Sequence, residues 1–97
     1  MHINTHPSID TIFAALAHPV RLEMVAMLGA GEKCVCEIAR LLNRERSVVS
    51  RHLMILEQAG ILSSRQEGRM VIYKIADERA IRLLRLGLEM AEMPRTR

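Results

Sequence analysis

Two cysteines separated by one residue, Cys34 and Cys36, are the side chains in this chain best suited to chemistry. Residues two apart share a face in extended backbone but diverge by roughly 200° in a regular helix, so both sulfurs reach one ion only at an unwound helix start. The apolar spacing after the pair predicts such a start. A helix N-terminus lowers the pKa of a thiol, and thiolates prefer soft ions. The pair therefore predicts a site for As(III), Sb(III), Cd(II), Pb(II) or Zn(II).

The same two cysteines have other interpretations. Free cysteine is among the most buried residue types, so both side chains could simply be packed as small hydrophobic groups. A redox or sulfur-responsive switch is also possible. A disulfide across one intervening residue is expected to be strained, so such a switch would need intermolecular or persulfide chemistry.

The surrounding periodicity predicts a mostly α-helical domain with a small β-hairpin. Helices are expected over residues 8–16, 19–29, 32–42, 47–59 and 77–93, and strands over 61–66 and 70–75 with a turn at 67–69. The third and fourth helices are joined by a short turn, which is typical of a helix-turn-helix. With the charged hairpin that follows, the pattern predicts a winged helix-turn-helix.

Length and composition bound the fold and the function. The chain has 97 residues, of which 49% are hydrophobic and 26% charged, so residues 1–97 are expected to form one domain, with loose tails at 1–7 and 94–97. No apolar run approaches the ~20 residues that span a bilayer, and no signal-peptide pattern is present, so a cytoplasmic protein is expected. No paired acid–base set or Gly-rich phosphate loop is present, so no enzyme is predicted.

The positive charge is unevenly distributed along the chain. The net charge is +3, and the whole excess lies between residues 44 and 74. A basic segment that overlaps a helix-turn-helix and its wing favours a nucleic-acid contact surface. A chance cluster on a solvated face is the alternative.

The last helix predicts self-association. Its apolar residues cover more than one narrow stripe; they are Ile81, Leu83, Leu84, Leu86, Leu88, Met90 and Met93. A terminal helix with two apolar sides has one neighbour within its domain and a second one outside it. We therefore expect a homodimer formed through the first and last helices.

Three stretches of the chain together resemble the ArsR/SmtB family of dimeric winged-helix repressors. They are FAALAHPVRLEMVAML, KCVCEIARLL and SVVSRHLMILEQAGILSSRQEGRMVIYKI, and the match runs without a gap from Phe13 to Ile75. The resemblance implies a repressor that occupies double-stranded operator DNA when free and leaves it when a toxic ion binds. His18, in a His-Pro pair typical of the family, is expected to be structural.

The resemblance also identifies candidate DNA contacts. They are Arg46, Ser47, Val48, Ser50, Arg51 and His52 on the recognition helix, and Arg65 and Arg69 on the wing. Ser47 could instead cap the helix, Arg51 could be a solvated charge, and His52 could be packed. Glu45 stands where family members often carry serine, and a carboxylate there is unfavourable for the approach of phosphate.

The arsenic-responsive members of that family carry a sequence similar to EKCVCEIA at the start of the first helix of the motif. Cys34 and Cys36 match the first two thiols, whereas Ala39 stands in the place of the third. The resemblance therefore implies As(III) or Sb(III) as inducer, with a third ligand from a small thiol, hydroxide or another protein donor. His2 and His6 could supply donors from a partner chain, which would favour Cd, Pb or Zn. The last helix has no histidine, which argues against the family's zinc site there.

An ion at this helix start is expected to shift the recognition helix and so break the simultaneous docking of a dimer on two half-sites. Two other classes make different predictions. A redox or sulfur-responsive repressor would respond to oxidants or persulfides and not to arsenite. A winged-helix module that binds protein would show no salt-dependent binding to duplex DNA.

Overall fold

The computed structural model describes residues 6–92, which form five helices and three strands. In chain order these are α1 (Ile9–Leu16), α2 (Pro19–Gly29), β1 (Lys33–Cys34), α3 (Val35–Leu42), α4 (Arg46–Gln58), β2 (Leu62–Glu67), β3 (Met70–Ile75) and α5 (Arg79–Glu92). The strands form one antiparallel sheet in the order β1-β3-β2. Helices α3 and α4 form the helix-turn-helix and β2–β3 the wing, so the predicted winged helix is confirmed. His2, Met93 and the expected tails at 1–5 and 94–97 lie outside the described residues.

Local chemistry sets most helix ends where the sequence predicts them. The Ser8 hydroxyl accepts the N–H of Thr11 at the start of α1. The Nδ1 atom of His18 accepts the N–H of Val20 at 3.1 Å, and Pro19 occupies the first position of α2. His18 is thus a capping residue, which confirms its structural role.

Two helix C-termini end in left-handed residues. Asn43 has φ 54° and ψ 51° after α3, and Gly60 has φ +79° after α4. The N–H groups of Gly60 and Ile61 bind the carbonyls of Glu57 and Leu56, which is the Schellman arrangement. The turn between α3 and α4 and the entry to the wing are both fixed in this way.

The structure differs from the prediction at the starts of α3, α4 and α5. Residues 33–34 form a short strand rather than helix, so the sheet has three strands and not only a hairpin. Helix α4 begins at Arg46 with Glu45 as N-cap, so Ser47 lies within the first turn and does not cap the helix. Helix α5 begins at Arg79, although the Asp77 carboxylate does accept the Arg79 N–H at 3.0 Å.

The core lies between the helix-turn-helix, α2 and the sheet. Its largest fully buried side chains are Met24, Val25, Ile38, Val49, Leu53, Leu56 and Leu62. They come from α2, α3, α4 and β2, so the two helices of the motif share one close-packed interior with the wing. Ile38 of α3 thus packs in the same interior as Val49, Leu53 and Leu56 of α4.

Helix α5 has an inner and an outer apolar side, as the sequence predicts. Ala80 is buried, and Ile81 and Leu84 pack against the core. The outer side chains Leu83, Leu86 and Met90 are exposed, as are Ile9 and Phe13 of α1. Pro7, Ile12 and Phe13 line one groove with Leu83 and Leu86, so the exposed apolar surfaces of the two helices are continuous.

No single helix among the described residues is long and apolar enough to cross a membrane. Helices α1 and α2 reach that length only as a pair, and the pair is bent by 94°.

Candidate functional site

The cysteine pair lies at the junction of β1 and α3. Cys34 is the N-cap of α3, with extended φ −76° and ψ 159°, and its Sγ accepts the N–H of Glu37 at 3.1 Å. Cys36 lies in the first turn of the helix. The change from strand to helix between them brings their Cα atoms to 5.2 Å and joins their sulfurs in a disulfide. The two sulfurs thus lie together where the extended chain enters the helix, as the spacing predicts.

The disulfide corrects one expectation about the pair. We expected disulfide chemistry at this spacing to require a second chain or a persulfide, and that was wrong because the bond forms within one chain. The extended N-cap conformation of Cys34 turns its sulfur toward the helix, where Cys36 meets it. Both cysteines are half-buried rather than fully packed, so interpreting them as core hydrophobic groups is also wrong.

The donors around the sulfurs suit a soft ion but do not complete a site. Two sulfur atoms in reach of one position are the ligand type that thiophilic ions select. The nearest carboxylate in sequence, Glu37, lies 4.0 Å from Arg40. Within residues 6–92, no group of three or more His, Cys, Asp or Glu side chains is placed to hold a metal ion. An ion bound here by the described residues of one chain would therefore have two protein ligands.

The strand that carries Cys34 is connected to the DNA-facing helix. Lys33 and Cys34 pair with Tyr73 and Ile72 of β3. The Tyr73 hydroxyl donates to Glu57 of α4 at 3.2 Å, and the Ser64 hydroxyl donates to the same carboxylate at 2.8 Å. Burial raises the pKa of Tyr73, and the negative charge of Glu57 raises it further, so the phenol keeps its proton for this bond.

The wing is connected to the same segment by Arg65. Its Nη1 and Nη2 atoms donate to Glu32 at 2.9 and 2.7 Å, and its Nε atom donates to Glu67 at 2.8 Å. These hydrogen bonds raise the pKa of Arg65 and lower that of Glu32. Arg65 was predicted as a DNA contact, but its donors already bind two carboxylates. Sequence reasoning missed Glu32 because nothing in its local pattern indicates a partner on the wing.

The predicted DNA contacts at the start of α4 differ in their exposure to solvent. Arg46, Ser47, Val48 and Arg51 are exposed, whereas Ser50 is half-buried. The N-cap Glu45 makes no side-chain bond to the helix, so the first N–H groups of α4 have no side-chain cap. This end of the helix can accept a phosphate or a base edge.

His52 is not the exposed side chain that the sequence predicted. Its ring centroid lies 4.6 Å from that of His18, and its Nδ1 atom lies 3.1 Å from Nη1 of Arg21. Arg21 also donates through Nε to the Ala15 carbonyl at 2.6 Å. Burial lowers the pKa of His52, and the nearby charges of His18 and Arg21 lower it further. His52 therefore packs α4 against the start of α2.

The wing turn is one residue shorter than predicted. Glu67 pairs with Met70, so only Gly68 and Arg69 lie in the turn. Gly68 has φ +61°, a conformation that favours glycine at the tip of a two-residue hairpin. Arg69 is exposed beside it and remains a candidate for contact with the DNA backbone.

A helix-turn-helix with an exposed basic helix start, followed by a two-stranded wing, defines a winged helix-turn-helix regulator. Comparison with known proteins agrees with this class. The model of the arsR family of bacterial regulatory proteins matches residues 18–64. The chain is 32% identical over 87 residues to the cadmium resistance transcriptional regulatory protein CadC of Listeria innocua, covering 89% of this chain and 73% of that protein. The chain belongs to the ArsR/SmtB family of transcriptional regulators.

Two solved structures share the fold. A homodimeric winged helix-turn-helix DNA-binding domain from Mycobacterium bovis superposes with a TM-score of 0.79 at 29% identity, covering 92% of this chain and 86% of that one. The antimony-specific transcriptional repressor AntR superposes with a TM-score of 0.78 at 30% identity, covering 88% and 78% of the two chains. Family membership confirms the predicted class of protein, a transcriptional regulator and not an enzyme.

Proposed function

We propose that this chain is a homodimeric, cytoplasmic repressor that releases its operator when As(III) or Sb(III) binds Cys34 and Cys36. One observation carries the proposal. The two sulfurs lie together at the start of α3, the helix that packs against the DNA-facing helix α4. A soft ion bound by these thiolates would lie at the start of α3. A movement of that helix start would shift α4, against which α3 packs.

The choice of ion follows from the donors and from the relatives. Two thiolates select soft ions over Mg²⁺ or Ca²⁺, and a small thiol or hydroxide supplies the third ligand of a trigonal metalloid. The similarity to an antimony-specific repressor supports the same class of inducer here. The similarity to a cadmium resistance regulator keeps Cd(II) as an alternative, together with Pb(II) and Zn(II).

The chain's own contacts supply the route from the thiols to the DNA surface. In the reduced protein, a bound ion fixes the distance between the two thiolates and so sets the position of Cys34 relative to Cys36. Cys34 is on β1, so that change reaches Tyr73, Glu57 and α4 through the sheet, and reaches the wing through Glu32 and Arg65. Half-sites lie about 34 Å apart, so a small rotation in each protomer disrupts simultaneous docking. A tenfold loss of affinity needs only about 1.4 kcal/mol.

The dimer in this proposal forms through α1 and α5. Ile9 is 71% exposed, Leu86 56% and Phe13 50%, and large apolar side chains exposed to this extent on adjoining helices are typical of an interface. The basic residues at the start of α4 lie outside this surface. The similarity to a homodimeric domain from M. bovis supports a homodimer.

A second candidate function is favoured by the disulfide itself. Oxidation of the two thiols to the Cys34–Cys36 disulfide would release two protons and transfer two electrons to an oxidant. The bond forms without a second chain, so a repressor that responds to thiol oxidation needs no further cysteine.

Arsenite binding to the reduced protein tests the first function. We expect one arsenic per chain to remain after anaerobic gel filtration, two titratable thiols to disappear, and operator DNA to be released. Cys34→Ser and Cys36→Ser should each abolish this, whereas Ser63→Ala, at a half-buried position on β2, should not. Release by the thiol oxidant diamide, with no arsenic retained, would instead establish the redox function.

A further inference from the structure

A cleft between α3 and the start of α4 opens beside Cys36. Its volume is about 900 Å³, within the range of small-molecule sites. Its polar and reactive lining residues include Cys36, Arg40, Asn43, Arg44 and Arg46. Cys36 and three arginines thus border one cleft.

The charge of this lining is mixed. Glu37 and Glu45 also line the cleft, and Glu37 lies 4.0 Å from Arg40. Among the described residues, no carboxylate lies within ion-pair distance of Arg44 or Arg46. Arg44 and Arg46 are therefore available to bind carboxylates of a ligand. Glu37 and Glu45 can bind an ammonium group. The complementary molecule is small, zwitterionic and rich in carboxylates.

The two sulfurs of the pair have different surroundings. The Sγ atom of Cys34 accepts the N–H of Glu37 at the N-cap of α3. Of the two cysteines, it is Cys36 that lines the cleft. A nucleophile in the cleft therefore meets Cys36, and Cys34, which is not part of the lining, is the sulfur that leaves.

We infer that Cys36 is a modification site for a low-molecular-weight thiol of the glutathione class, held in this cleft by its carboxylates. The thiol loses its proton to water, and its sulfur attacks the Sγ of Cys36. A new S–S bond forms, the Cys34–Cys36 bond breaks, and its electron pair leaves on Cys34 as the capped thiolate. The reduced protein reaches the same product with glutathione disulfide when the Cys36 thiolate attacks it and glutathione leaves.

The modification has a consequence for DNA, and this part rests on the proposed function. Arg46 and Val48 belong both to the cleft and to the exposed start of α4. A bound thiol would place its carboxylates where operator phosphates approach. Modified protein is therefore repelled from DNA by charge at this position, in addition to any movement of α3.

Single-cysteine variants test the chemistry without reference to DNA. Cys34→Ser, which keeps Cys36, should react with glutathione disulfide several-fold faster than with neutral 2-hydroxyethyl disulfide, and Cys36→Ser should show no such preference. Adding Arg44→Gln to Cys34→Ser should remove the preference, whereas adding Arg85→Gln on α5 should retain it. Mass spectrometry of the intact chain gives each rate. Equal preference in the two cysteine variants would overturn the assignment.

Operator binding by the Cys34→Ser adducts tests the consequence. The glutathione adduct should bind at least tenfold more weakly than the 2-mercaptoethanol adduct of the same variant. Equal affinities would overturn the charge effect. Failure of the unmodified wild-type protein to bind duplex DNA would overturn the proposed function, while the disulfide exchange rates would still decide the assignment of Cys36.

Discussion

Glu32 and Arg65 form a bidentate ion pair between the segment that leads into Cys34 and the wing. Nη1 and Nη2 of Arg65 lie 2.9 and 2.7 Å from the two Glu32 oxygens. Arg65 and Cys34 both pair with Ile72 of β3, so they lie in one row across the sheet. The cysteine pair is therefore connected to Arg65 of the wing in two ways: through the Glu32–Arg65 ion pair and through strand β3.

Glu32→Gln tests this connection. The amide removes the bidentate ion pair and leaves Arg65 paired with Glu67 through Nε alone, so its two Nη groups become available to phosphate and operator affinity should rise. If Arg65 then contacts one phosphate, the slope of log K against log salt should steepen by about 0.9. Fluorescence anisotropy at several salt concentrations measures both quantities. Glu23→Gln on α2 is the control, and an unchanged affinity and slope would show that Arg65 does not reach DNA.

Arg51→Ala tests the DNA-facing side of α4. The side chain is exposed, four residues after Ser47, where a recognition helix contacts base edges. We expect operator affinity to fall roughly tenfold or more, since a bidentate base contact contributes about 1–3 kcal/mol of discrimination. Affinity for a scrambled duplex should fall less. Equal loss on both duplexes would assign Arg51 to the phosphate backbone instead.

Leu86→Glu tests the α1–α5 surface. A charge placed in the exposed apolar groove beside Phe13 opposes burial against a second copy. Sedimentation velocity should show monomer where the wild-type protein is dimer, with helical content unchanged by circular dichroism. Leu41→Glu on α3, also exposed, should remain dimeric. A dimeric Leu86→Glu protein would place the interface elsewhere.

The environment of His52 predicts a pH dependence of stability. Burial and the positive groups His18, Arg21, Arg44 and Arg51 lower the pKa of His52, so the folded chain favours the neutral ring. The folded state then binds fewer protons than the unfolded state, whose histidine has a pKa of about 6.5. The free energy of unfolding should therefore decrease as the pH falls below about 6.5 and through the folded pKa.

Chemical denaturation between pH 7.5 and 5 measures this effect. The His52→Gln variant keeps a hydrogen-bonding group for Arg21 but does not titrate, so its stability should change less over the same range. A wild-type curve parallel to that of His52→Gln would contradict the prediction.

Local signals were sufficient for most of the fold. Capping groups and left-handed residues, such as His18, Asn43 and Gly60, act within a few residues, so their effect is visible in the sequence. The two-residue strand β1 has no periodicity of its own and forms only because β3 lies beside it. A pattern along the chain therefore could not predict it.

The site was predicted less completely for the same physical reason. The cysteine spacing placed both sulfurs at a helix start, because that geometry is local. The contacts of His52 with Arg21 and of Arg65 with Glu32 join residues 31 and 33 positions apart, and only the folded chain brings them together. Whether a side chain such as His52 is exposed depends on partners that are distant in the sequence, so the local pattern could not predict it.

The proposed function requires that ligation of Cys34 and Cys36 weakens operator binding. Anaerobic anisotropy titrations of reduced protein on operator DNA, with and without saturating arsenite, test it most directly. We predict that arsenite raises the operator Kd at least tenfold for the wild-type protein and leaves it unchanged for the Cys34→Ser/Cys36→Ser variant. An equal Kd with and without arsenite in the wild-type protein, or an equal rise in the variant, would contradict the account.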